Sequence, residues 1–235
     1  MHLYYEILKN DLKLIFRDKS LIIMFIMPGV IILLCQYGIP QLTAFVPVLP
    51  SYYWLIVAAL TLVTASTPSY LFGFILLDER DENVHTILQI LPIPVNFVLK
   101  IRIAFTVFMG FCFSLFILLF NGLIRFGLLP VLLISLLFAL VPPVLTFSIT
   151  AFAKNKIEAA TLYKGLNIVL FIPVIAFFIR GETKYVFGII PFFWTFETVH
   201  LNTLNLHFVV SFLLGLTLHI FLIWLLYKIY NKRNF

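Results

Sequence analysis

The chain has 235 residues, of which 63% are hydrophobic and only 11% charged, and its mean hydropathy is +1.11. A soluble domain spreads charge along every amphipathic element, whereas here the charges collect in short clusters between long apolar stretches, which excludes a water-solvated fold and makes lipid the solvent. The net charge of +6 does not point to nucleic acid, because the basic residues flank apolar runs and form no separate domain with interleaved aromatics; anionic lipid headgroups are the counter-charge that this placement suits.

Leu3 to Lys19, wound as a helix, puts Glu6, Lys9, Asn10, Lys13 and Arg17 on one side and Tyr4, Leu8, Leu12, Ile15 and Phe16 on another, with Asp11 the single charge on the apolar side. Such a segment is too polar to span. Residues 1–20 are therefore expected to form an interfacial helix along the cytoplasmic leaflet, with docking on protein as the alternative. No small-residue cleavage site ends the first apolar run, so the first span is expected to stay in the protein.

Six spans follow, predicting an all-α membrane protein that forms a single transmembrane domain over 1–235. Span 1 runs from about Leu21 to Tyr37, and its Pro28-Gly29 pair predicts a kink or local break. Span 2, Tyr53 to Leu77, contains Thr61, Thr64, Ser66, Thr67, Pro68 and Ser69, so one face is polar enough to pack on helices or to line a path. Span 3 covers Leu99 to Phe120. Span 4, Leu128 to Ala153, is interrupted by Pro142-Pro143, and span 5, Gly165 to Ile179, contains Pro173. Span 6, Leu206 to Tyr227, is uninterrupted.

Lys and Arg set the orientation, because short cytoplasmic loops retain them. Thirteen fall on one side of the six-span layout, leaving only Arg125, Arg180 and Lys184 on the other. Both termini are thus expected in the cytoplasm of a cell-membrane protein. Gly38 to Tyr52, uncharged and with three prolines, reads as a compact external connection. Residues 181–205 are longer, and Ile189 to Trp194 is apolar enough for a re-entrant or surface-lying piece, with Tyr185 and Trp194 as aromatic anchors. The halves show no sequence repeat, so a repeat-based secondary carrier gains no support.

Between spans 2 and 3, Asp78-Glu79-Arg80-Asp81-Glu82 brings four carboxylates and an Arg to the end of a membrane helix. These acids favour the positive N-terminus of a following short helix carrying Val84, Ile87, Leu88 and Leu91 on one side, which Pro92 stops before the chain turns back into the membrane at Lys100 and Arg102. Residues 78–98 then form a cytoplasmic loop with an exposed apolar stripe. An ordinary acidic loop capping a helix is the plainer alternative.

The Glu79-Arg80-Asp81-Glu82 cluster, followed ten residues after Glu82 by Pro92 and then by basic residues, resembles the membrane-spanning permease of type-2 ATP-binding-cassette exporters. The resemblance extends to the interfacial N-terminal helix, the six spans and a re-entrant segment before the last span. It implies that 78–98 is a coupling helix seated on an ATPase subunit, with Glu79, Arg80, Asp81 and Glu82 orienting it and Thr86, Leu88 and Pro92 completing the coupling set. Asn83 stands where many relatives have Gly, and Asn tolerates the backbone angles that Gly permits.

The sequence holds no G-x-x-x-x-G-K-[ST] phosphate loop, so ATP and Mg are expected on a separate ATPase polypeptide and this chain is not itself an enzyme. One six-span bundle is half of the pore that the resemblance implies, so a second permease copy or a related chain is the expected partner. The five histidines are scattered, with no HExxH and no Ser-His-Asp grouping, and Cys35 and Cys112 lie inside apolar runs, so neither a catalytic nor a metal site is expected. His219 alone is well inside a span, where it is either a functional group or a neutral imidazole bonded to a neighbouring helix. Glu158, Glu182 and Glu197 fall in loops or at span ends, which leaves no intramembrane acid to carry protons. For a substrate path the polar positions are Thr64, Ser66, Thr67 and Asn167, in an apolar interior suited to hydrophobic or amphipathic cargo. A non-transporting scaffold or assembly factor that binds its partner through the same loop is the rival reading.

Overall fold

The computed structural model describes Lys13 and residues 19–82, 95–179 and 181–234, and among these every regular element is helical. In chain order they are α1 (Lys19–Leu33), a π-helical turn (Leu34–Gly38), α2 (Ile39–Thr43), a 3-10 turn (Leu49–Tyr52), α3 (Tyr53–Asp81), α4 (Val95–Phe120), α5 (Leu128–Ala139) and α6 (Val141–Phe152). There follow α7 (Lys156–Phe171), 3-10 segments at Ile172–Phe178 and Glu182–Ile189, α8 (Pro191–Leu201) and α9 (Leu206–Asn234). Six stretches are long and apolar enough to cross a bilayer: Phe25–Thr43, Leu49–Leu77, Leu99–Phe120, Leu128–Phe152, Lys156–Phe178 and Leu206–Arg233. The expected interfacial helix at 1–20 lies almost wholly outside the described residues.

Two spans differ from the sequence expectation. The first shows no local break at Pro28, through which α1 continues, and changes its winding later, at Leu34–Gly38, where the Ile39 N–H bonds the Leu34 carbonyl. Pro40 explains the position: its ring would crowd the carbonyl four residues back, and a wider turn before it relieves that contact. The fifth span begins nine residues before Gly165, at Lys156. Asn155 caps it by accepting the Glu158 N–H at 2.9 Å, and the Glu158 carboxylate reaches back to the Lys154 N–H at 2.9 Å. This reciprocal cap starts the helix within a stretch whose charges read as loop. Span 4 breaks where its prolines predict, at Leu140, between α5 and α6.

α3 and the α5–α6 pair form the buried centre, and α1, α4, α7 and α9 surround them with one face exposed. The core joins Leu62, Ala65, Leu137, Phe138, Val141, Phe192, Phe196 and Phe208. Small residues on α3 let its neighbours close in: a Cβ on Gly73 would already stand 3.4 Å from Ile149 Cδ1. The hydroxyls of α3 are buried too, and most are satisfied by their own helix. Thr61 donates to the Val57 carbonyl at 2.7 Å, Thr64 to Leu60 at 2.8 Å and Thr67 to Thr64 at 2.8 Å. The last of these serves the carbonyl that Pro68, lacking an N–H, leaves without its usual donor.

Candidate functional site

The helix ends sort into two layers. At one, α3 finishes in Glu79, Arg80 and Asp81, exposed Glu82 follows, and α4 begins at Val95. Thr86, Leu88 and Pro92 lie outside the described residues. The same layer holds the C-termini of α6 and α9, tied by the Arg233 guanidinium donating to the Ala151 carbonyl at 2.8 Å and lying 5.0 Å from the Phe152 ring centroid. Lys228 caps the Trp224 ring at 3.7 Å from its centroid. With Lys100 near the start of α4 and Lys228 and Arg233 near the end of α9, basic residues of two spans lie at the end of the bundle where α3 finishes.

Midway along α3, Ser66 faces α7. Its hydroxyl lies 3.3 Å from the Tyr163 hydroxyl and 3.4 Å from Asn167 Oδ1, while Asn167 Nδ2 donates to the Tyr163 carbonyl at 2.9 Å. Two of the four path candidates, Ser66 and Asn167, thus meet across a helix pair, and Tyr163 is a third member that the sequence did not single out. Among the described residues Thr64 and Thr67 hydrogen-bond only within α3; both are buried and bond its backbone.

The opposite layer is aromatic and holds a buried carboxylate. Trp54 stands 4.3 Å from the His200 ring and 4.9 Å from Phe177, centroid to centroid, and Tyr52 stacks on Phe178. Glu197 on α8 lies outside the six spans but is only 4% exposed, a burial that the sequence does not announce. Lys184, thirteen residues upstream, donates to Glu197 Oε1 at 2.7 Å, and His200 Nδ1 lies 3.9 Å from Oε2, beyond hydrogen-bond reach. Burial pushes this carboxyl up, but His200 and the Lys184 ammonium outweigh it and hold the group below its ordinary value. The Lys184 ammonium also lies over the Tyr185 ring at 5.0 Å. No sequence signal marks Glu197 as buried, because its compensating cation comes from a different segment.

α8, eleven residues long, is too short to span and is buried against α3, α5 and α9. The Trp194 indole donates to the Gly188 carbonyl at 2.8 Å and Tyr185 stacks on Trp194, so the two expected anchors pin the preceding 3-10 segment to α8. His219 on α9 is fully buried beneath Phe192 of α8, and its Nδ1 meets the Gly215 carbonyl at 2.7 Å. Its partner is therefore its own helix backbone, not a neighbouring helix.

Six spans packed about a hydroxyl-bearing central helix whose charges gather at one end give the build of a multi-pass membrane permease. The chain belongs to the family described as "Fluoroquinolones export permease protein Rv2686c-like", whose model matches residues 11–227. It is similar to the fluoroquinolones export permease protein Rv2686c of Mycobacterium tuberculosis strain ATCC 25618 / H37Rv, at 26% identity over 194 residues that cover 79% of this chain and 77% of the relative. The fluoroquinolones export permease protein MT2760 of strain CDC 1551 / Oshkosh matches to the same extent. This membership agrees with the resemblance to type-2 ATP-binding-cassette permeases that the acidic cluster carries.

Proposed function

We propose that the chain is the membrane-spanning subunit of an ATP-driven exporter, forming half of a translocation path and coupled to a separate ATPase through the segment from Glu79 to Pro92. The supporting observation is the placement of the acidic cluster. It terminates α3, a continuous 29-residue helix of about 43 Å that runs through the centre of the bundle. A push on the cluster is delivered to a rod that passes the Ser66 seam and ends at Trp54. ATPase closure would thereby tilt α3 and α4 together and change the seam with α7.

In this reading the basic layer and both termini face the cytoplasm, residues 1–20 lie along that leaflet, and α8 is a re-entrant element on the far side. A second permease copy or a related chain completes the path, and ATP and Mg bind the partner ATPase. The relatives' name makes fluoroquinolones the first cargo to test.

Co-purification of the tagged chain with its candidate ATPase tests the coupling. Wild type is expected to bring down an active ATPase, and Glu82→Lys and Leu88→Asp to lose it. If no ATPase binds under any condition, the chain is a scaffold rather than an exporter subunit.

A further inference from the structure

Between α4, α6 and α9 a groove of about 480 Å³ is lined by apolar side chains, among them Ile103, Ala104, Pro143, Ile220 and Trp224, with Lys100 its single charged wall residue. Its volume is in the range of about 300–1,000 Å³ typical of sites that hold a ligand. α4 meets α6 closely at Gly110, where a Cβ would stand 2.8 Å from Pro142 Cγ, and the groove lies nearer the start of α4, where Ala104 and Pro143 are both in its wall. Ala104 and Lys100 are exposed, and Ile220 and Trp224 are 53% and 48% exposed, so the groove opens on the surface of the spans.

Charge lies at one end of it only. Lys100 is in the wall, and Lys228 stands over the ring of Trp224, another wall residue. From Lys100 to Val107, and from Lys228 back to Ile220, the helices rise about 10–12 Å, which is within one leaflet of a hydrocarbon core about 30 Å thick. An apolar trough of one-leaflet depth with two ammonium groups at its headgroup end has the polarity of a phospholipid with a negative head.

We propose that this groove binds one acyl chain of an anionic phospholipid, with Lys100 and Lys228 holding its phosphate. A second copy of the chain suits the groove poorly, because a two-fold contact here would set Lys100 and Lys228 against their own copies. The site adjoins the loop between α3 and α4, since α4 begins only five residues before Lys100. The proposal does not rest on ATPase coupling.

The test is lipid retention by the full chain, purified from nanodiscs holding equal phosphatidylglycerol and phosphatidylcholine, washed in mild detergent and read by native mass spectrometry. Wild type is expected to keep one phosphatidylglycerol in at least tenfold preference to phosphatidylcholine. Lys100→Glu with Lys228→Glu, both at exposed positions, should abolish the preference, and Ala104→Trp, which fills the trough, should lose the lipid. Equal retention of both lipids by wild type, or undiminished phosphatidylglycerol retention by the Lys100→Glu/Lys228→Glu protein, overturns the proposal. Chain-to-chain crosslinking through Ala104→Cys would also overturn it by placing a second copy on the groove.

Discussion

Trp54, in the first turn of α3, packs its ring 4.3 Å from that of His200 in the last turn of α8. The helix that carries Glu79 to Asp81 at one end therefore touches, at the other, the short helix that holds the buried carboxylate Glu197. Movement of α3 along or about its axis cannot leave α8 undisturbed, because packed interiors shift between discrete arrangements and do not deform smoothly.

Trp54→Ala removes this contact and the one to Phe177. Trp54 is only partly buried, so the expected loss of stability is about 1–3 kcal/mol, read as a lower melting temperature in detergent. The ATPase should still co-purify, while cargo exported per ATP hydrolysed falls. An unchanged ratio would mean that α3 does not carry motion to α8.

The Lys184–Glu197 pair predicts an asymmetry. Lys184→Met strands a buried carboxylate and should destabilise by about 2–3 kcal/mol, whereas adding Glu197→Gln to it should restore part of that loss. The pH dependence follows from the depressed Glu197 carboxyl. Its stabilising effect is fully present above the unfolded carboxylate value of about 4.3 and is lost as pH falls from there through the folded value. Melting curves of wild type should therefore drop more steeply below about pH 4.3 than those of Glu197→Gln.

Two glycines should respond in opposite directions. Gly110→Ala drives a methyl into Pro142 at a helix contact and should destabilise by about 1–3 kcal/mol. Gly29, inside α1 with nothing within 4 Å of its would-be Cβ, should tolerate Ala or gain about 0.5–1 kcal/mol. Thermal melts of the two variants side by side check both.

At the α3–α7 seam, Ser66→Ala should cost less than about 1 kcal/mol, because the helix backbone remains bonded. Ser66→Leu is expected to fold and to reduce export roughly tenfold, the equivalent of about 1.4 kcal/mol, if cargo passes between these helices. Export measured at equal protein level decides; wild-type export by Ser66→Leu would remove the seam from the path.

The spans were legible because lipid demands long apolar runs, and the break at Leu140 was legible because two adjacent prolines, Pro142 and Pro143, remove two successive N–H donors and suit the first turn of a new helix. The first span was read differently because two prolines competed and local sequence does not say which one the packing accommodates. The start of α7 was hidden because Lys156, Glu158 and Lys164 look like loop charges until the Asn155–Glu158 cap is recognised. Ser66 and Asn167 were identifiable as polar groups in apolar surroundings, but Tyr163 reads as one aromatic among many. Glu197 and Lys184 could not be paired from sequence, since only the fold of the 3-10 segment onto α8 brings the ammonium to the acid.

Transport in inverted membrane vesicles containing this chain and its candidate ATPase tests the central claim most directly. Fluoroquinolone uptake should require hydrolysable ATP, persist when a protonophore collapses the proton gradient, and disappear with Glu82→Lys. Uptake that proceeds without ATP and is abolished by the protonophore would contradict the account and make the chain a gradient-driven carrier.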